Sequence, residues 1–119
     1  MLIVDAANVV GSRPNGWWRD RAKAAADLCR ELVRAVGDGR LTPPVVVVLE
    51  GQARAGVAEG EADGVRVVHA SGSGDDTIVE LVVQAVAEGD EVTVATADRE
   101  LRVRTQEAGG DVTGPRSLL

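Results

Sequence analysis

Val45–Leu49 reads VVVVL and closes on Glu50-Gly51. Four valines in a row cannot alternate apolar with polar, so neither face of this segment is suited to water. Strands buried on both faces belong near the centre of parallel sheets that are covered by helices on each side. The neighbouring segments agree. Met1–Ala6 (MLIVDA) is an apolar run that turns polar at Asp5, and Val65–Ala70 (VRVVHA), Glu91–Thr96 (EVTVAT) and Asp111–Thr113 supply further strands. Between them lie helices. In Trp17–Val36 the residues Trp18, Ala22, Ala25, Leu28, Cys29, Leu32 and Val36 recur near the helical period, and Gly37 and Gly39 stop the run. Asp75 or Asp76 opens a second helix to about Glu88, with Ile78, Leu81, Val82, Ala85 and Val86 as its stripe. A third runs from Asp98 to about Ala108. Arg13–Gly16 (RPNG) and Ser71–Gly74 (SGSG) are turns, and glycine-rich Gln52–Gly64 reads as a loop with at most a short helix.

The order β, α, β, loop, β, α, β, α, β predicts a single-domain three-layer α/β/α sandwich with a mainly parallel sheet of about five strands. Composition fits one such domain. The 119 residues are 45% hydrophobic, mostly Val and Ala, with two Trp and no Phe or Tyr. The run from residue one leads us to expect neither a leader nor a tail, and no signal-peptide pattern precedes it. There is no uninterrupted apolar stretch long enough to span a membrane. The single cysteine, Cys29, allows no internal disulfide and no cysteine-based zinc cage, so a reduced cytoplasmic protein is the default. A net charge of -6 argues against a broad basic grip on nucleic acid, yet leaves room for a small acidic site that holds a cation.

Ligands of such sheets sit beyond the carboxyl ends of the strands, where strand order reverses. Each of the first four strands delivers a carboxylate to that edge: Asp5, Glu50, the pair Asp75-Asp76 after the SGSG turn, and Asp98 after Thr96. Converging carboxylates repel one another unless a cation joins them, and an all-oxygen set suits Mg²⁺ or Mn²⁺. Such ions can promote in-line attack on a phosphodiester. Each residue also has a plainer role. Asp75, Asp76 and Asp98 are good helix N-caps, and Glu50 fits an exposed strand end. Asp5 is expected to have no cap to fill, which makes it the strongest site residue. Asn8 can bond a phosphate or tie down its loop. Thr96 can contact a phosphate or metal-bound water, or cap a helix. Arg13, Arg99 and Arg102 can hold substrate phosphates or lie on solvated surfaces. Trp17 and Trp18 are the only rings available to stack a base, or else they pack the start of the first helix. SGSG does not match a P-loop. His69 and Cys29 read as structural.

VDAANVVG (Val4–Gly11), VVVVLEG (Val45–Gly51), SGDDTIVE (Ser73–Glu80) and VATADRELR (Val94–Arg102) together resemble the landmarks of PIN-like nuclease domains. The nearest branch is the NYN domain, in particular its YacP-like bacterial ribonucleases, and the likeness runs over essentially all of residues 1–119. It implies a parallel sheet flanked by helices and acidic strand ends that bind Mg²⁺ or Mn²⁺ to hydrolyse RNA. On that resemblance Asp5 is the first-strand metal ligand and Asn8 its partner. Glu50 stands where the family often has Asp, Asp75 and Asp76 open the middle helix, and Asp98 is the late Asp of a T-x-D segment. Asp5, Asp75 or Asp76 (one sequence does not settle which of the two), and Asp98 would be catalytic, with Glu50 an added ligand. Ala6-Ala7 departs from the Gly and aromatic residue typical of the YacP-like branch. The expected activity is metal-dependent hydrolysis of single-stranded RNA, with a homodimer or partner protein completing the channel. The alternatives are a catalytically weak RNA- or partner-binding module, or a small phosphohydrolase acting on nucleotides. The D-x-D of haloacid-dehalogenase enzymes is absent. A receiver domain would need a late lysine, and Lys23 is the only lysine.

Overall fold

The valine run is the second strand of the sheet, and all five of its residues are buried. The computed structural model describes residues 1–118. Its strands are β1 (Leu2–Asp5), β2 (Val45–Leu49), β3 (Gly60–Ala62), β4 (Val65–His69), β5 (Thr93–Ala95) and β6 (Asp111–Thr113). They form one six-stranded sheet in the order β3-β4-β2-β1-β5-β6. Only the β3–β4 pair is antiparallel. The helices are α1 (Ala6–Gly11), α2 (Arg21–Gly37), α3 (Gly74–Ala87) and α4 (Arg99–Glu107), with one-turn or two-turn 3₁₀ segments at Trp17–Arg19, Gly51–Gly56 and Pro115–Ser117.

Alternation along the strands builds two cores. Val45, Val47 and Leu49, with Val4, Val65 and Val67, pack under α1 and α2 through Val9, Leu28 and Leu32. Val46 and Val48, with Ile3 and Val94, pack under α3 and α4 through Ile78, Val82 and Leu101. Successive side chains of a strand point to opposite faces, so one uninterrupted valine run serves both layers. Each fully buried valine is worth roughly 1.5–3 kcal/mol. The chain leaves β1 toward β2 and β4 on one side, then returns to place β5 and β6 on the other. Strand order therefore reverses beside β1, with Leu2 to Asp5 in register with Val45 to Val48 and Leu2 to Val4 in register with Thr93 to Ala95.

Three details depart from expectation. The sheet has six strands, because part of the expected loop pairs as β3 on the edge of β4. Its three residues are all exposed, so no hydrophobic period marks it. The 3₁₀ segment in the same loop agrees with the short helix allowed there, and Gly56 is required in it. A Cβ on Gly56 would lie 2.1 Å from the carbonyl oxygen of Ala22 on α2. Residues after β1 form α1 instead of an irregular loop. Finally, the long helix starts at Arg21 instead of Trp17. Asp20 caps it by accepting from the Lys23 amide at 2.9 Å, which leaves Trp17 and Trp18 on their own turn.

Candidate active site

Asp5 ends β1 and opens α1 with no residue between them, so its side chain stays inside the carboxyl edge of the sheet. It is 6% exposed. It caps α1 after all, but weakly, accepting from the Asn8 amide at 3.4 Å. The stronger bond comes from Thr96, whose hydroxyl donates to Asp5 Oδ2 at 2.9 Å. Burial pushes the Asp5 carboxyl up to about 6; the bonds from Thr96 and Asn8 oppose that, and the charges of Asp75 and Glu50 add to it.

Thr96 is completely buried. It gives its proton to Asp5 and accepts from the Asp98 amide at 3.1 Å. It therefore cannot meet a phosphate directly and positions two carboxylates instead. Asn8 also ties strand ends together, its Oδ1 accepting from the Ala97 amide at 2.9 Å. Asp98 is exposed and caps α4 through the Leu101 amide at 2.9 Å. Glu50 directly follows β2 and accepts from the Gly74 amide at 2.9 Å. That approach is close: a Cβ on Gly74 would sit 3.2 Å from Glu50 Cδ, so the Glu50 carboxylate would have to shift by a few tenths of an ångström. Ser73 caps α3, accepting from the Asp75 amide at 3.2 Å, so the SGSG segment is a turn and a cap.

Asp75 and Asp76 part company. Asp75 joins Asp5, Asn8, Glu50, Ser73 and Asp98 around one open depression of about 420 Å³. Loss of water raises its carboxyl above the usual range, and the charges of Asp98 and Glu50 raise it further. Asp76 is turned away to the α3–α4 surface, where it meets Arg104 at 3.0 Å. Of the two candidates the chain leaves open, Asp75 and not Asp76 therefore lines the depression: consecutive helix residues point about 100° apart, so only one of the two faces it.

The basic and aromatic residues also divide. Arg13 pairs with Glu31 at 2.8 Å and lines a separate polar pocket with Asp27, Arg30 and Arg34, so it is not part of the acidic depression. Arg102 donates to the Thr96 carbonyl at 3.1 Å, which fixes the end of β5. Arg99 stays exposed on the first turn of α4, next to Asp98. Trp17 lines a cavity of about 410 Å³ that shares Ala7 and Glu50 with the depression. Arg21 and Gln52 line that cavity too, although neither stands out as a site residue in the sequence. Their only signal is position, directly after the Trp pair and directly after Glu50-Gly51. His69 Nε2 lies 2.7 Å from the Val57 carbonyl, and its amide donates to Glu59 at 2.8 Å, so it holds a loop. Burial pushes the Cys29 thiol up to about 11, as befits a core residue.

The donors are all hard oxygens, which fits Mg²⁺ or Mn²⁺. Among the described residues, however, no three His, Cys, Asp or Glu side chains stand close enough to hold a metal ion where they lie. Asp5 accepts at both oxygens, and Glu50 and Asp98 at one each, from donors of the protein itself. Neither oxygen of Asp75 accepts a hydrogen bond among the described residues, so it is the carboxylate freest to move inward.

A mainly parallel six-stranded sheet with helices on both faces is consistent with a PIN-like α/β fold. It is similar to the crystal structure of Rae1 (YacP) from Bacillus subtilis, in a tryptophan-to-leucine variant. The TM-score is 0.74 at 20% identity, over 98% of this chain and 70% of the other. At that identity the likeness is one of fold. No protein-family model and no curated protein matches the chain. No helix among the described residues is long and apolar enough to cross a membrane.

Proposed function

We propose that this protein is a divalent-metal-dependent ribonuclease that hydrolyses phosphodiester bonds at the acidic depression. One observation carries the reading. Asp5, Glu50, Asp75 and Asp98 come from four separate segments of the chain and line one open depression beside the reversal of strand order. Asp5, Asp75 and Asp98, with Glu50, would hold Mg²⁺ or Mn²⁺. When bound, the ion would neutralise the carboxylates, activate water and polarise the scissile phosphate. Asp5 is held rigid by Thr96 and Asn8, so it sets the site's reference position. Asp75, on the first turn of α3 and lining the same depression, would complete the set. Asn8 keeps its amide donors free of protein partners among the described residues, and can offer them to a phosphate oxygen. Arg99, exposed beside Asp98, offsets the charge of the incoming strand. Loading the site requires Asp5 to release its proton, so metal affinity should climb as pH rises through about 6.

A second reading is a catalytically weak RNA-binding module. The open spacing of the carboxylates favours it. Incubation of the protein with labelled single-stranded RNA in Mn²⁺ separates the two. Cleavage that disappears in Asp5→Asn and Asp75→Asn supports the nuclease. Equal cleavage by wild type and both variants points to a contaminant. Retention of RNA without cleavage, and a melting temperature that Mn²⁺ does not move, supports the binding module.

A further inference from the structure

The cavity next to the acidic depression is unlike it in character. Its walls are small and apolar at Ala6, Val10 and Ala25, and Trp17, Arg21 and Gln52 complete the lining. The Arg21 guanidinium carbon lies 5.3 Å from the Trp17 ring centroid. Asp20 caps the following helix and Trp17 packs partly into the core, so the ring is held in place by both. The cavity holds about 410 Å³, within the range of small-ligand sites. It adjoins the depression, because Ala7 and Glu50 line both.

We infer that this cavity is a nucleobase subsite: it takes the base of a ribonucleotide whose phosphate lies in the acidic depression. The inference rests on the ribonuclease reading for the identity of the ligand, and on the cavity alone for the place of the base. A base needs a flat partner and an edge donor or acceptor. The Trp17 ring, with the Arg21 guanidinium 5.3 Å from its centroid, supplies the first, and the Gln52 amide, which can both donate and accept, supplies the second. Every base has a π-face, so the stacking tolerates all four. The shared wall has a consequence for charge. The cavity needs no cation of its own beyond Arg21, while the phosphate end needs the divalent ion to offset Glu50 and its neighbours. Base binding and metal binding are thus separate contributions to one ligand.

Equilibrium binding of AMP, compared with ribose 5-phosphate as the baseless probe, tests this in Mg²⁺. AMP contains no phosphodiester, so binding is read without turnover. Wild type is expected to bind AMP about tenfold or more tightly than ribose 5-phosphate. Trp17→Leu, which keeps apolar bulk for the core, is expected to erase that preference, and Trp17→Phe to restore most of it. Equal binding of the two probes to wild type would overturn the proposal, as would a preference that survives Trp17→Leu. So would absence of AMP binding at millimolar concentration. The outcomes separate the two readings. A base preference in a protein that cleaves no RNA keeps the subsite and removes the nuclease. Metal-dependent cleavage with no base preference keeps the nuclease and removes the subsite.

Discussion

Asp5 and Asp98 open two helices on the same edge of the sheet, on either side of the point where strand order reverses. Both cap a helix and both bond to Thr96, Asp5 by its carboxylate and Asp98 by its amide. Yet one is buried and the other exposed. Asp5 follows β1 without a break, so the strand carries it into the interior. Asp98 stands three residues beyond the end of β5, far enough to reach water. A cap role therefore does not tell a functional carboxylate from a structural one. The difference lies in desolvation, which raises the proton affinity of Asp5 and makes its negative charge costly without a cation.

The largest expected effect breaks the comparison at Asp5. Asp5→Asn should lower RNA cleavage by about 100-fold or more, since a ligand's charge contributes several kcal/mol to a metal-assisted transition state. The same substitution should stabilise the fold at alkaline pH. The Asp5 carboxyl titrates near 6 when folded and near 3.9 when unfolded. The folded state therefore holds the proton more tightly, and its advantage is lost as pH rises from about 4 to about 6. Relative to wild type, Asp5→Asn should gain up to about 3 kcal/mol between pH 4 and pH 8. Urea melts at the two pH values, in chelator, measure it, and a difference that does not change with pH would sink the burial argument.

Thr96→Val tests the link between the two carboxylates. It removes the hydroxyl that donates to Asp5 and accepts from the Asp98 amide, and is expected to cost about 2 kcal/mol at pH 8. The cost should shrink at pH 4, where Asp5 carries a proton and no charge needs the donor. Asp98 separates capping from chemistry on its own. Asp98→Ala should cost about 1 kcal/mol, whereas Asp98→Ser keeps a cap and should stay within a few tenths. If Asp98→Ser melts like wild type but cleaves less, its carboxylate belongs to the site; unchanged cleavage would leave Asp98 a cap alone. The smallest effect is expected at Asp76. Its ion pair with Arg104 is exposed, so Asp76→Asn should shift stability by less than about 0.5 kcal/mol. It should also leave the Mn²⁺-dependent melting shift intact, in contrast to Asp75→Asn.

Much of the frame was legible in the chain because it rests on local pattern. The strand and helix order follows from hydrophobic period, and the four acidic positions follow from what comes after each strand. The misses have specific causes. Asp5 was expected to have no helix to cap, because AANVVG is apolar and short and shows no amphipathic stripe. Its burial still makes it the most perturbed carboxylate of the site. The helix start slipped from Arg21 to Trp17 because two tryptophans extend an apolar period that Asp20 interrupts. Arg13 was grouped with the site by closeness in sequence, whereas α1 carries it to the Glu31 side of the molecule.

Sequence alone determined that a double-sided valine strand must lie between two helical layers, and that carboxylates gather at the strand ends. Both depend on the polarity of consecutive residues, which a chain carries with it. Tertiary structure alone decided that Asp75 and not Asp76 faces the depression. It also decided that Thr96 is buried between two carboxylates, and that the Trp17 cavity shares a wall with the acidic depression through Ala7 and Glu50. Those facts depend on the rotation of α3, the burial of a strand end and the packing of a 3₁₀ turn. Each is set by contacts between residues far apart in the chain, and no local pattern encodes them.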